Sequence, residues 1–489
     1  MQEIFIGSQD GHKVVLDAAM GNRHGVISGA TGTGKTITLQ ILAEGFSKLG
    51  VPVFLADIKG DLSGLAQAGQ PSAKLTQRVQ DCALEGFQQR ANPTVFWDIF
   101  ARSGHPVRTT VSDMGPLLIS NLLELNDTQT GVMYSCFKIA DDNGLLLLDL
   151  KDLRAMLTWM GNEASALQAE YGNIAPASIG AIQRQLLVLE EQGAAFFLGE
   201  PALALEDFCK TDFSGNGLIN VLDATDLTNK SPRLYATFLL WLLADLFETL
   251  PEVGDAEKPK LVLFFDEAHL LFDQAPKVLV DKIEQIVRLI RSKGVGVYFI
   301  SQSPLDIPEN ILGQLGLKVQ HALRAFTPKD QQVVKAVAET FRVNPKLDTQ
   351  QVISELKIGE ALVSVLNRDG SPTPVEKVWI RPPESQIGPL TPPQRQEVIA
   401  RSPYHGRYDQ VVDRESAYEL LKQRAAQAAE AEAVAEEHAD EGRASKSSGR
   451  GRSGQTVTEA FLKSAARSIG STVGRQIVRG IIGSLLSGR

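Results

Sequence analysis

Residues 29–36 read Gly29-Ala30-Thr31-Gly32-Thr33-Gly34-Lys35-Thr36 and match G-x-x-x-x-G-K-[ST] without compromise. This pattern constrains architecture as much as ligand. A strand must end where the loop begins and a helix must open where it ends. Only then do the loop N–H groups and the helix N-terminus converge on one anion. The flanks comply: residues 25–28 (GVIS) form a buried-strand run, and a helical stretch over 35–49 leads to a second apolar run at 51–56 (VPVFLA). Strand, helix and strand at this spacing imply an α/β fold with a largely parallel sheet. Lys35 supplies a point charge for β- and γ-phosphates, and Thr36 offers its hydroxyl to Mg²⁺. ATP and Mg²⁺ are therefore the expected ligands.

A P-loop also suits kinases and small GTPases, so a second site has to decide. Residues 260–265 (KLVLFF) form a continuous apolar run followed by Asp266-Glu267-Ala268-His269. An Asp at a strand's C-terminal end can hold Mg²⁺, and an adjacent Glu can orient or deprotonate an attacking water. That pair favours ATP hydrolysis over phosphoryl transfer to a small molecule, and no N-K-x-D signature is present. Gln302 ends the next apolar run, 295–301 (VGVYFIS), where it either senses the γ-phosphate or lies on the surface. Arg288 and Arg291 fall near the end of a helix expected to begin near residue 278. They either reach a neighbouring subunit's γ-phosphate or complement the helix C-terminus. Asp57 closes the second strand run, at the edge where open α/β sheets bind ligands; a plain turn residue is the alternative.

Texture divides the chain further. Residues 1–112 read as the first part of an ATPase core and 113–215 as a mostly helical insert, with apolar residues at helical spacing in 117–125, 145–160 and 179–191. Residues 216–385 read as the second part of the core, closing with strand-like runs at 360–366 and 374–380 around the turn at 368–371. A proline-rich strap or linker (386–414), an Ala/Glu-rich helix (415–440), a flexible basic linker (441–455) and a basic amphipathic helix (456–489) follow.

Charge follows the same division. The total of −9 hides a +7 tail at 441–489, where nine Lys/Arg face two Glu, and this leaves −16 for residues 1–440. Such a body disfavours a simple basic nucleic-acid-coating protein. The three cysteines are widely spaced with no CxxC, which argues against a disulfide scaffold or a zinc site. No basic-then-apolar leader opens the chain, and the most apolar stretch, 234–247, contains Asp245 and is too short to span a bilayer. The cytoplasm is the expected compartment.

Taken together, Asn22-Arg23-His24 before the P-loop, Asp57-Ile58-Lys59-Gly60-Asp61, the 266–269 box, and Arg288, Arg291 and Ser301-Gln302-Ser303-Pro304 resemble the HerA/FtsK group of RecA-like ATPases. Residues 359–365 and 373–382 resemble the end of that core, and the chain looks most like the HerA-like bacterial proteins of the YjgR group. The resemblance implies a RecA-like core in which residues 29–36 bind nucleotide and Thr36 and Asp266 serve the metal. By the same likeness Glu267 activates water, Gln302 senses the γ-phosphate, and Arg291, with Arg288 as the second choice, acts in trans. It further implies a homo-oligomer, a hexameric ring around a strand or a polypeptide. HerA translocases carry a β-barrel ahead of the ATPase, and with 28 residues before the P-loop that barrel is expected to be missing. The Asp-Glu-Ala-His string also resembles DEAH-box helicases, but their arginine-rich downstream box is absent.

In the tail, Val457, Phe461, Ala465, Ile469, Val473, Ile477, Ile481 and Leu485 recur every fourth residue, with Lys463, Arg467, Arg475 and Arg479 among them. Self-association or docking, a membrane surface and nucleic-acid contact all suit such a segment. Two functions compete for the whole chain. One is a ring-forming motor acting on double-stranded DNA. The other is an ATP-gated assembly or scaffold protein that recruits a protein partner through its tail without moving DNA.

Overall fold

The computed structural model describes residues 2–254, 256–273 and 277–444. Among these residues twelve strands form one sheet. In chain order they are β1 (Glu3–Gln9), β2 (His12–Asp17), β3 (Gly25–Ser28), β4 (Val53–Asp57), β5 (Thr94–Asp98), β6 (His105–Pro106), β7 (Ile219–Asp223), β8 (Leu261–Phe265), β9 (Val295–Ser301), β10 (Leu317–Gln320), β11 (Glu360–Ser364) and β12 (Glu376–Ile380). Across the sheet the order is β2-β1-β12-β11-β10-β3-β9-β8-β4-β7-β5-β6. From β10 to β6 every neighbour pair is parallel; β2, β1, β12 and β11 extend it antiparallel.

The central parallel strands β4, β8 and β9 are buried at every position because both faces are covered. On one face Val53, Leu55, Val262, Phe264 and Tyr298 share a core with Leu39, Leu42 and Phe46 of helix α1 (Lys35–Lys48). On the other, Phe54 packs against Phe208 and Phe238, and Phe265 against Phe299. This is the expected α/β architecture with a RecA-like P-loop core. The hairpin β1–β2 was not expected, although its turn was readable: Asp10 and Gly11 have φ of 50° and 83°, the positive pair that an Asp-Gly hairpin turn adopts. Strands β5, β6 and β10 were not expected either: β6 is two residues long, and β5 and β10 pair with β7 and β3 far away in sequence.

The chain separates into two units: Met1–Arg108 with Pro201–Gln410, and Thr109–Glu200 with the described residues from Val411 onward. The sheet lies wholly in the first. The second contains the helices expected of the insert, from Val111–Leu122 to Ala194–Phe197, and also the helix Ala417–Ala444. That late helix joins the insert because buried Asp152 accepts hydrogen bonds from Ser416 Oγ and the Tyr418 N–H. Three expected boundaries therefore change. Residues 201–215 belong with the sheet, residues 441–444 are helical, and the proline-rich stretch carries a helix at Pro392–Ala400. The rest of the expected basic linker and the tail helix lie outside the described residues. Among the described residues no helix is long and apolar enough to cross a membrane.

Buried Glu44 of α1 fastens the segment that follows β12. Its carboxylate accepts from the N–H groups of Glu384 and Ser385, from the Ser385 hydroxyl and from Arg381.

Candidate active site

The loop between β3 and α1 is held from several sides. The N–H of Gly29 donates to the Gln302 carbonyl (3.2 Å), that of Ala30 to the Ala322 carbonyl (2.9 Å), and that of Gly359 to the Thr33 carbonyl (3.0 Å). Gly29 and Gly34 adopt φ of 149° and 126°, and a Cβ on Gly29 would lie 2.5 Å from Cβ of His321. Both the torsion and the close approach demand glycine there. Lys35 Nζ reaches across the loop to the carbonyls of Gly29 (2.6 Å) and Ala30 (3.3 Å). Burial, reinforced by the charge of Lys59, holds its pKa below the usual lysine range.

His321, beyond the end of β10, buttresses the loop. Its Nδ1 lies 3.0 Å from the Glu360 carbonyl, which can only accept, so Nδ1 carries the proton. Nε2 then accepts the Thr38 hydroxyl at 2.8 Å. Burial pushes the imidazole pKa down to about 4, leaving the ring neutral beneath the phosphate loop.

Strand order assembles the rest. β9 lies between β3 and β8, so the loop after β3, Gln302 after β9 and Asp266-Glu267 after β8 share one sheet edge. Buried Asp266 accepts the Glu267 N–H at 2.9 Å, and burial raises its pKa to about 6. Glu267 has a φ of 46°, in the left-handed region that favours glycine. One of its carboxylate oxygens meets Lys59 Nζ at 2.5 Å; the other is buried without a hydrogen bond, 3.4 Å from His269 Nδ1.

Asp57 departs from its expected role. Its carboxylate accepts the N–H groups of Gly60 (2.8 Å) and Leu62 (3.0 Å), and burial raises its pKa to about 7. It shapes the turn after β4, and two other residues of that turn reach the site. One is Lys59. The other is Asp61, whose Oδ2 lies 3.5 Å from the Thr36 hydroxyl and whose Oδ1 is buried without a partner. Both had been read only as part of the Asp57–Asp61 string; a lysine and an aspartate on a loop ordinarily signal a solvated turn.

The donors fit Mg²⁺. Among the described residues no three His, Cys, Asp or Glu side chains form a cage by themselves. A hydroxyl (Thr36), the Asp266 carboxylate and the unsatisfied oxygen of Asp61 instead suit an ion that keeps waters and shares phosphate oxygens.

Arg288 and Arg291 are not at this edge. The helix Lys277–Ile290 and the turn Arg291–Lys293 lead into the start of β9, whereas the phosphate loop follows the end of its parallel neighbour β3. The seven residues of β9 separate the two edges by ~20 Å. Arg288 pairs with Glu284 at 2.9 Å on the surface. Arg291, Arg288 and Arg23 line a cavity of about 430 Å³. His24 beside it is a buried pin: its Nδ1 accepts the Val297 N–H at 3.0 Å.

The family model for the helicase HerA-like C-terminal region matches residues 2–489. The DNA double-strand break repair helicase HerA of Sulfolobus acidocaldarius is 22% identical over 366 residues, covering 73% of this chain and 65% of that protein. HerA of Saccharolobus solfataricus is 23% identical over 372 residues, covering 74% and 66%. A probable helicase of Methanocaldococcus jannaschii is 32% identical over 125 residues, 25% of this chain and 22% of that protein. The chain thus spans less than two thirds of these relatives. Among solved structures, the plasmid coupling protein TrwB bound to the GTP analogue GDPNP superposes with a TM-score of 0.53 at 14% identity, over 79% of this chain and 91% of that one. VirB4 of Thermoanaerobacter pseudethanolicus gives 0.51 at 16%, over 80% and 98%. These likenesses establish the fold.

Proposed function

Because the chain belongs to the HerA-like helicase C-terminal family, we propose that it is a Mg²⁺-dependent ATPase that works as a hexameric ring and moves double-stranded DNA. The observation that carries the reading is the single sheet edge shared by Lys35, Gln302, Asp266 and Glu267. The loop N–H groups and Lys35 grip the β- and γ-phosphates. Glu267 receives the proton of the attacking water, and Gln302 registers the γ-phosphate beside it. Thr36 and Asp266 hold Mg²⁺, which when bound neutralises charge on the phosphate oxygens. Arg291, with Arg288 next to it, meets the nucleotide of the neighbouring subunit, because its own nucleotide site lies on the far edge. Such a finger contributes three to five orders of magnitude (~10³–10⁵-fold) in rate in other phosphoryl-transfer enzymes.

The family relatives named HerA are described as DNA double-strand break repair helicases, which supports duplex DNA as the substrate. The charge of −16 on residues 1–440 favours the second reading, an ATP-gated assembly whose tail engages a protein or a membrane surface in the cytoplasm. Native mass measured with and without ATP and duplex DNA separates them. The motor reading expects a ring that retains DNA; a nucleotide-dependent oligomer that never retains DNA supports the scaffold, and a monomer throughout removes the ring.

A further inference from the structure

The ion pair between Lys59 and Glu267 engages one oxygen of the carboxylate that the ATPase reading assigns to the attacking water. Lys59 Nζ lies 2.5 Å from one oxygen of Glu267. The Glu267 side chain is 9% exposed and that of Lys59 37%, so the carboxylate is fixed in the interior while the ammonium stands at its mouth, on a stem with room to swing. The Asp57 carboxylate and Gly60, with a φ of 73°, fix the turn that presents it. Lys59 is also within electrostatic reach of Lys35, Asp266 and Asp61. A second lysine therefore stands in the phosphate field, paired with Glu267 and close to Asp266 and Asp61. A bound triphosphate would offer it a further anionic partner.

We infer that Lys59 reads the γ-phosphate: it holds Glu267 in an ion pair until a nucleoside triphosphate offers it a more highly charged partner, and its transfer to the γ-phosphate oxygens releases Glu267 to take a water. The exchange follows from charge. A terminal phosphate carries more negative charge and more acceptor oxygens than one carboxylate, so an ammonium reachable by both prefers the phosphate. ADP offers no such group, and Lys59 stays on Glu267. The base is thus freed only when there is a γ-phosphate to attack, and it is recaptured after product release. The released carboxylate keeps its charge throughout, and no covalent bond changes in the exchange.

The inference rests on the ATPase reading, and binding measurements keep the two separable. Equilibrium binding of Mg·ADP and of a Mg-bound non-hydrolysable ATP analogue is compared for the full-length protein, Lys59→Met, Glu267→Gln and the double variant. Lys59→Met should weaken the triphosphate analogue by ~10-fold or more while ADP affinity stays within about 2-fold, since a charge-assisted contact to the γ-phosphate alone is lost. Glu267→Gln, which lets go of Lys59 from the other side, should tighten the analogue relative to ADP. That gain should vanish in the double variant, where no ammonium remains to be released. Equal weakening of both nucleotides by Lys59→Met would mark a merely structural tie and overturn the inference. No weakening of either, or a Glu267→Gln gain that persists without Lys59, would overturn it too. Should Lys59→Met fail to fold, the Glu267→Gln arm still decides: an unchanged preference for the triphosphate rejects the exchange. Wild-type protein that hydrolyses ATP while Lys59→Met discriminates normally rejects only this inference; wild-type protein that neither binds nor hydrolyses ATP rejects the ATPase reading itself.

Discussion

Arg291 and Lys35 stand at opposite edges of one parallel sheet: Arg291 precedes the start of β9, and Lys35 follows the end of its neighbour β3. No side chain spans that distance, so an arginine finger at residue 291 has to serve a different subunit. Mixing Arg291→Ala with Glu267→Gln subunits should restore turnover at junctions where an intact Glu267 meets an intact Arg291. Arg291→Ala alone should be slower than wild type by about 10³-fold or more. ATPase assays across mixing ratios check this; a rate that stays at the level of the separate variants contradicts the trans arrangement.

The two ends of the phosphate site should separate on mutation. Lys35→Ala removes the ammonium that meets the phosphates and should abolish detectable nucleotide binding. Glu267→Gln keeps the loop intact and should bind ATP yet hydrolyse it ~10²–10⁴-fold more slowly, the usual contribution of a general base. Fluorescent-nucleotide titration beside a phosphate-release assay reads both. Normal turnover by Glu267→Gln would remove Glu267 from its assigned role.

Neutral, buried His321 gives a pH signature. Its folded pKa, near 4, lies below the ordinary histidine value of 6.5, so the unfolded chain takes up a proton that the folded one refuses. Its contribution is therefore complete above pH ~6.5 and is lost as pH falls towards ~4. His321→Gln lacks this titration. Between pH 6.5 and 5.0 wild type should lose about 1.5 kcal/mol more unfolding free energy than the variant. Other titrations, such as that of Asp57 with its raised pKa, run in the opposite direction but are common to both proteins and cancel in the difference. Denaturant melts at the two pH values check the sign.

Glu44→Ala should destabilise the fold by about 3–5 kcal/mol, because it leaves Arg381 and the N–H groups of Glu384 and Ser385 without their buried acceptor. A loss below ~1 kcal/mol in equilibrium unfolding would mean that water replaces the carboxylate.

What the sequence disclosed depends on how local each signal is. The phosphate loop was legible because torsion, charge and flanking elements all lie within a dozen residues, and Asp266-Glu267 because a fully apolar strand leads straight into it. His321 carried no local mark. It reaches the loop only because β10 pairs with β3, almost three hundred residues away in sequence. Lys59 and Asp61 were visible as residues but not as site members, since that depends on β4 lying beside β8. Asp57 takes the alternative that the sequence left open: an Asp at a strand end faces the ligand edge, yet here both oxygens bond its own turn.

The most direct test of the account is the rate of ATP hydrolysis at low salt with and without long duplex DNA, with Glu267→Gln as the blank. The account predicts turnover that the blank lacks and that duplex DNA stimulates, with the stimulation fading as salt screens the phosphate contacts. A rate that long duplex DNA leaves unchanged at low salt would contradict it.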